Sequence, residues 1–453
     1  MKTVNPSTSL RVNGERPFDS FHSLRVVPSG VEGRSRTIKF FTLGCKVNQY
    51  ETQAMREQFI RRGFKEIANG KPSDVYLINT CTVTHRADAE SLRLIYKAKR
   101  ENPQASIIVT GCLTELDSDK IAKFNGVARI VKNQDKYRII ELLEGNNKLK
   151  ERNEAGISSF WGRTRAFLKI QDGCDNFCSY CKVPLVRGAS RSRLPDEIIA
   201  EANRLVDNGF KEIVLCGICL GSYGKDLAVG RSLVNVIDAL QDIGGLFRIR
   251  LSSIEAGDVS DGLINRIAQN KKLCRHLHIP IQSGDDEILK KMNRKYSPED
   301  YSNLIRKIKS RIPGIAITTD ALVGFPGESD SHFQNTVKLI KEIQPLKVHI
   351  FPYSPREGTQ AKAKYEQDLD PKIIKERSLY LKKIAEACSL RYKKQFLNKG
   401  MKVLVEGRSK YKAGFWEGHT DNYLKVLLKS DRNLKNEFIT VKLKKLIQDY
   451  VLA

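Results

Sequence analysis

FLKIQDGCDNFCSYC, residues 167–181, joins a short apolar strand to a loop whose three cysteines, Cys174, Cys178 and Cys181, have the spacing C-x3-C-x2-C. A structural zinc site takes four closed ligands, usually from two C-x2-C pairs. Here three thiols stand together with no fourth cysteine or histidine nearby. A cubane iron–sulfur cluster also takes four ligands, so three thiolates leave one iron open. An open coordination position belongs to a reactive metal site. The competing reading is a zinc knuckle that borrows a distant ligand.

Downstream of this loop, strands are expected at 212–216, 248–254, 276–281, 315–323 and 347–351, with helices at 196–208, 258–269, 285–292, 299–309 and 331–343. Together with the strand at 167–171 that makes six strands alternating with helices, the pattern of a partial (β/α)6 barrel whose active face lies at the strand carboxyl ends. A long basic helix (371–397) follows. The tail from Gly400 then turns to short alternating runs, MKVLVEG, YLKVLLK and NEFITVKL, that suit a small β-barrel.

Upstream, the polar stretch 148–159 reads as a linker and residues 1–36, rich in Ser, Gly, Pro and Arg, as a disordered extension. Between them, strands at 37–43, 74–80 and 106–111 alternate with helices at 47–63 and 86–100, the signature of a doubly wound parallel sheet. Cys45, Cys81 and Cys112 each stand just past a strand's carboxyl end. In an open parallel sheet those ends share one crevice, where ligands bind. Scattered cysteines are often ordinary core residues; the matching placement of these three argues for a joint role.

Composition sets the class. The chain has 453 residues, enough for several domains, with 40% hydrophobic and 29% charged residues and a net charge of +26. No apolar run is long enough to span a membrane, the start lacks the apolar segment of a secretory signal, and the expected location is the cytoplasm. In that reducing compartment disulfides are rare, so the clustered ones among the ten cysteines are expected to bind metal or do chemistry. The positive charge fits a polyanionic partner. Residues 391–453 carry 15 Lys/Arg against 6 Asp/Glu, interleaved with Tyr411, Phe415, Trp416 and Tyr423. Phosphate contact with base stacking is expected there, with Trp416 or Tyr423 at the surface and other aromatics in the core.

The cysteine loop is the signature of radical S-adenosylmethionine (SAM) enzymes, and the resemblance extends well beyond it. TLGCKVNQYE (42–51), INTCTVT (78–84), VTGC (109–112), RIRLSSIE (248–255), HLHIPIQSGDDEILKKMNRKY (276–296), TTDALVGFPGE (318–328) and FPYSPREGT (351–359) resemble the methylthiotransferases. GFWEGHTDNYLKV (414–426) resembles their RNA-binding TRAM domain. Lys46-Val47-Asn48 and the WEGHTDNY tail are similar to the bacterial branch acting on N6-threonylcarbamoyladenosine in tRNA. The resemblance implies four segments: extension 1–36, an amino-terminal domain 37–148, a radical SAM core 160–389 and a TRAM domain 391–453.

It also implies two [4Fe-4S] clusters, one on Cys174, Cys178 and Cys181 and an auxiliary one on Cys45, Cys81 and Cys112. Two SAM molecules are used per turnover, one to methylate a cluster-bound sulfur and one to yield the radical that takes the C2 hydrogen of adenine. Such a hydrogen has no useful acidity, which is why a radical suits it. The implied partners are tRNA and a one-electron reductant of the flavodoxin or ferredoxin type. Phe177 and Tyr180 flank SAM, and Glu255, Gln282, Ser283 and Arg187 are candidates to bind it. Arg187, with Arg191 and Arg193, equally suits a tRNA phosphate. For each the plain reading is a turn, a cap or a solvated charge. Cys216 and Cys219 make a further C-x2-C, read here as substitution by small residues, and Cys274 and Cys388 as structural. Alternatives are methylthiolation of isopentenyladenosine or of a ribosomal-protein side chain, and, from another class, a non-catalytic iron–sulfur RNA-binding sensor.

Overall fold

The computed structural model describes residues 36–68, 70–144, 156–228, 231–366 and 369–453. The expected extension, up to residue 35, and residues 148–155 of the expected linker lie outside them. The linker's end is built into the fold. Ile157 is fully buried, its N–H donates to Glu201 Oε1 at 2.8 Å, and the Ser158 and Ser159 N–H groups both donate to Glu57.

The amino-terminal sheet has five parallel strands in the order Lys65–Glu66, Thr37–Thr42, Val75–Thr80, Ser106–Gly111, Val127–Val131. The central strand, VYLINT, is buried throughout, because it has cover on both faces. Its side chains alternate accordingly. Val75 and Leu77 pack with Met55 and Phe59 of the helix Lys46–Arg61, while Tyr76 and Ile78 pack with Leu94 and Ile95 of the helix His85–Glu101. The strand order reverses between Thr37–Thr42 and Val75–Thr80, a topological switch point of the kind that opens a ligand crevice.

The central region has the expected six parallel strands in chain order, Arg165–Lys169, Glu212–Cys216, Arg248–Leu251, His276–His278, Ala316–Val323 and Lys347–Pro352. They form two hydrogen-bonded triplets, joined by single parallel bridges at Ile249–Leu273 and Ser253–His278. The first strand starts two residues earlier than expected. A helix absent from the sequence reading, Leu233–Gln241, follows the second; Ser232 opens it with a capping box, and four of its apolar residues are buried.

The carboxy-terminal region is a six-stranded mixed sheet in the order Phe438–Lys442, Gly400–Arg408, Phe415–Thr420, Lys425–Lys429, Tyr450–Leu452, Lys445–Ile447. Its core corrects one expectation: Trp416 is 4% exposed, packs with Val403, Val426 and Leu428, and donates its indole N–H to the Ser430 carbonyl at 3.0 Å. An aromatic beside basic residues looks alike in sequence whether it faces in or out.

This sheet closes the amino end of the barrel. Arg165, Arg248, Arg250 and His276, at or near the starts of three barrel strands, are tied to it, and Glu212 at the start of a fourth pairs with the arginines. Arg250 pairs with Glu212 at 2.7 Å and donates to the carbonyls of Thr420 and Asp421. Arg165 pairs with Glu406 at 3.1 Å. Tyr423, held at φ +67°, stacks between His276 (4.4 Å) and His419 (5.0 Å) with Arg250 over its ring at 4.9 Å. The second candidate for a surface stacking residue is therefore part of the floor of the barrel.

Candidate active site

The loop that decides the fold leaves its strand through Gln171 and Asp172. The Gln171 amide donates to the carbonyls of Asp172 and Gly173 and accepts from the Cys219 N–H at 2.8 Å. Gly173 has φ +73°, and a Cβ there would sit 1.9 Å from the Ala189 carbonyl oxygen, so glycine is required. The loop is pinned again at Ser179, whose N–H and hydroxyl donate to the carbonyls of Met292 and Lys291. Donors reach the sulfurs themselves, among them the Val183 N–H to Cys181 Sγ at 3.4 Å and Arg294 Nη1 to Cys178 Sγ at 3.3 Å.

Burial pushes the Cys181 thiol up to about 12, whereas a hydrogen bond with the Cys219 thiol, outweighing burial, draws Cys174 down. A bound cation would hold the buried Cys181 as a thiolate. A single zinc, with sulfurs about 2.3 Å from the metal, would gather them to within about 4 Å of one another. Among the described residues no three cysteine sulfurs lie within 4.8 Å, yet the members of each trio act electrostatically on one another. Three thiols in each trio suit a [4Fe-4S] cluster that keeps one iron open.

Beside the loop lies a cavity of about 240 Å³ lined by Asn176, Cys178, Glu255, Asp258, Arg294 and Tyr296, among others. Glu255 is the candidate that the structure brings to it, paired there with Arg294, which also touches the Tyr296 hydroxyl at 2.8 Å. Sequence reasoning misses Arg294; its only signal is the basic run NRK after a helix. Phe177 sits on the rim, 54% exposed with φ +46°, its carbonyl held by Asn293 at 2.9 Å. Tyr180 packs edge-on to Phe325 at 6.5 Å, and burial drives its hydroxyl well above its usual range. Gln282 lies half-buried past the strand His276–His278 at φ +64°. Ser283 points elsewhere: it is buried against Thr336 and accepts from the Asp285 N–H, while Asp285 itself caps the next helix.

The amino-terminal trio is placed by sheet topology. Cys45 caps the helix Lys46–Arg61, whose positive dipole end favours a thiolate. Cys81 and Cys112 follow the next two strands. Gly111 (φ +103°) leaves no room for a side chain, since its Cβ would lie 2.4 Å from the Thr80 backbone nitrogen. Asn48 stitches the turns together, donating to the carbonyls of Leu43 and Thr80 and accepting from Asn79 through its own carbonyl. Burial pushes the Cys81 thiol up to about 11, and raises Cys45 against the pull of the Arg187 guanidinium.

Arg187 corrects another expectation. It is buried and pairs with Glu51 at 2.5 Å and Asp172 at 3.2 Å, and it also bonds Asn48, so it joins the two trios' scaffolds rather than gripping an external carboxylate or phosphate. Glu51 also holds Lys136, and these cations, overcoming burial, keep it at about 2. Arg193 is likewise committed, to Glu201 at 2.7 Å, and Arg191 donates to two nearby carbonyls. Further links cross the seam beside Cys81 and Cys112: Arg356 donates to Thr82, and Asn133 to the Val186 carbonyl at 2.8 Å. Hydrogen bonds and ion pairs thus tie the scaffolds of the two trios together across this seam. Cys216 and Cys219 go separate ways, Cys219 to Cys174 and Asp258, Cys216 to a fully buried position within the field of Cys45 and Lys46. The Gly324–Glu328 segment is a turn, with Gly324 and Gly327 at positive φ and Arg377 paired to Glu328 at 2.7 Å.

Comparison with known proteins agrees. Residues 168–340 match the radical SAM superfamily, and residues 37–132 match "Uncharacterized protein family UPF0004". The chain is 39% identical to the threonylcarbamoyladenosine tRNA methylthiotransferase MtaB of Bacillus subtilis, over 90% of this chain and 94% of that protein. It is 37% identical to the MtaB of Thermotoga maritima, over 92% and 96%. With the tRNA-2-methylthio-N(6)-dimethylallyladenosine synthase of Pelotomaculum thermopropionicum the identity is 34%, over 89% and 94%. Among solved structures, the radical SAM methyltransferase TsrM of Kitasatospora setae shares the fold, with a TM-score of 0.52 at 14% identity over 70% of this chain and 73% of that one. With its radical SAM core and its likeness to these enzymes along nearly the whole chain, this protein belongs to the radical SAM methylthiotransferase family.

Proposed function

We propose that the chain replaces the C2 hydrogen of N6-threonylcarbamoyladenosine, at position 37 of tRNA, with a methylthio group. What supports this is the pair of cysteine trios, one on the loop after the first barrel strand and one at the switch point of the amino-terminal sheet, with their scaffolds joined by Arg187 on Glu51 and Asp172. The higher identity to threonylcarbamoyladenosine enzymes than to a dimethylallyladenosine enzyme supports the choice of base.

Cys174, Cys178 and Cys181 hold one [4Fe-4S] cluster and Cys45, Cys81 and Cys112 the auxiliary one. With two SAM molecules per turnover, these groups supply methyl transfer to sulfur and radical hydrogen abstraction. Arg294 and Glu255, in the cavity beside Cys178, orient the SAM amino acid portion, and Phe177 and Tyr180 flank its remainder. The Glu51–Arg187–Asp172 network fixes the spacing of the two scaffolds, and the closed barrel floor keeps water from the reacting base. Residues 37–148 form the auxiliary-cluster domain, 160–389 the radical core and 391–453 a TRAM-type β-barrel that meets the tRNA backbone. A flavodoxin- or ferredoxin-type protein delivers electrons, in the cytoplasm. Among the described residues no helix is long and apolar enough to cross a membrane.

The test is anaerobic reconstitution followed by nucleoside mass spectrometry. About eight irons per chain are expected, four per cluster, with reductive SAM cleavage and loss of 2-methylthio-threonylcarbamoyladenosine in a deletion strain. Zinc in place of iron, or a deletion strain lacking only the dimethylallyl product, overturns the reading.

A further inference from the structure

Three neighbouring barrel strands carry His278, Asp320 and His349, none of which has a part in the site described above. The strands His276–His278, Ala316–Val323 and Lys347–Pro352 pair in parallel, with His278 beside Thr318 and Asp320 beside His349. Side chains alternate along a strand, so His278 shares the face of His276, and Asp320 that of Thr318. That face is the barrel interior. His276 stacks on the Tyr423 floor at 4.4 Å, while the intervening Leu277 is fully buried in the apolar core. His278 therefore stands one layer above the floor, about 6–7 Å along its strand, with Asp320 and His349 next toward the mouth.

Their ligand atoms converge. One nitrogen from each imidazole and one Asp320 carboxylate oxygen all lie within 4.8 Å of one another. His278 Nε2 is 3.2 Å from Asp320 Oδ1, and the two histidine rings lie 5.7 Å apart at 67°. Two ligands of one tetrahedral ion, each bound at about 2.0–2.1 Å, stand about 3.3 Å apart. The His278–Asp320 pair already has that spacing. The far nitrogen of His278 is held too: Nδ1 lies 2.9 Å from Thr318 Oγ1, and the same hydroxyl meets His276 Nε2 at 3.0 Å. A partner on the second ring nitrogen fixes the tautomer of a metal-binding histidine. With the hydrogen on Nδ1, the Nε2 lone pair faces a carboxylate oxygen, an arrangement that calls for a cation between them. All three side chains are half-buried, so an ion can reach them. Among the described residues no Lys or Arg pairs with Asp320, and no hydrogen bond engages the His349 ring.

We infer that His278, Asp320 and His349 bind a divalent cation of the zinc class inside the barrel. Two imidazoles and one carboxylate suffice to hold it, and three protein ligands leave a position open for a small oxygen or nitrogen donor, as reactive zinc sites do. The competing occupant is a proton on His278 Nε2, which would bond Asp320 at the same distance and leave His349 without a role. The inference does not rest on the proposed reaction.

The test counts metals rather than products. The cluster-loaded full chain is stripped of loose ions with a chelator, equilibrated with zinc sulfate without oxygen, and desalted. About one zinc per chain should remain beyond the roughly eight irons of two cubanes. Its X-ray absorption should show nitrogen and oxygen neighbours alone, at about 2.0–2.1 Å. His349→Phe and Asp320→Ala should each weaken zinc binding about tenfold or more with iron unchanged, and Asp320→Glu should keep most of it. A wild-type chain that keeps no zinc overturns the inference without any variant. So does a sulfur shell at about 2.3 Å, which puts the ion on cysteines, and so does full zinc affinity in an iron-replete His349→Phe or Asp320→Ala chain.

Discussion

The two cysteine trios solve one problem in opposite ways. Cys174, Cys178 and Cys181 lie within eight residues of each other, on a loop whose geometry is set by its own backbone, by Gly173 and by Gln171. Cys45, Cys81 and Cys112 are brought together by three strands across 68 positions, and their geometry is set by the register of the sheet. A site of the first kind depends on local contacts; one of the second kind lasts only as long as its whole domain is folded. The contrast also divides the labour in the proposed reaction: among the described residues, Cys178 of the barrel trio lines the cavity proposed to take SAM, and no cysteine of the other trio does.

Removing single thiols gives the largest separation. Cys178→Ala should lower iron from about eight to about four per chain and abolish SAM cleavage. Cys81→Ala should lose the same iron, retain SAM cleavage and form no methylthio product. Identical phenotypes would erase the distinction. Next come the glycines. Gly111→Ala drives a methyl into the Thr80 backbone at φ +103° and should unfold the amino-terminal sheet by several kcal/mol, read by thermal melts. Gly173→Ala should leave that sheet intact and cost only the barrel cluster, seen as halved iron in a folded chain.

In the third region, Trp416→Ala should destabilise the carboxy-terminal sheet by about 3–5 kcal/mol, whereas the same change at half-exposed Tyr411 should cost far less. Arg294→Met should weaken SAM binding roughly tenfold, measured by calorimetry, with iron unchanged. The smallest effect is that of pH on the seam. Glu51 is depressed from 4.5 to about 2, so its contribution is present above the unfolded value and fades as pH falls from 4.5 toward 2. Hydrogen exchange of the metal-free chain should show helix Lys46–Arg61 loosening over that range, and Glu51→Gln should flatten the response.

The same contrast explains what can be read without coordinates. The barrel loop is legible because its ligands and its turn are contiguous. Strands Ser106–Gly111 and Glu212–Cys216 are legible because buried parallel strands are uniform apolar runs between turn residues. Arg187 misleads because its partner Glu51 is 136 residues away, and a buried ion pair and a ligand clamp use the same side chain. Leu233–Gln241 escapes because it has only nine residues, too few for the helical spacing of Leu233, Val236, Ile237 and Leu240 to stand out. The role of Arg294 depends on a loop meeting Cys178 from 116 residues downstream, which no spacing announces.

The Tyr423 stack has one further consequence. With the tyrosine ring wedged against His276, the barrel resembles a cup rather than a tube, and traffic must use the mouth at the strand carboxyl ends. A nucleobase reaching that depth has to swing out of its stack in the anticodon loop. Damage to this distant stopper should therefore appear as spent SAM without product, a leak in the chemistry rather than a loss of grip on RNA.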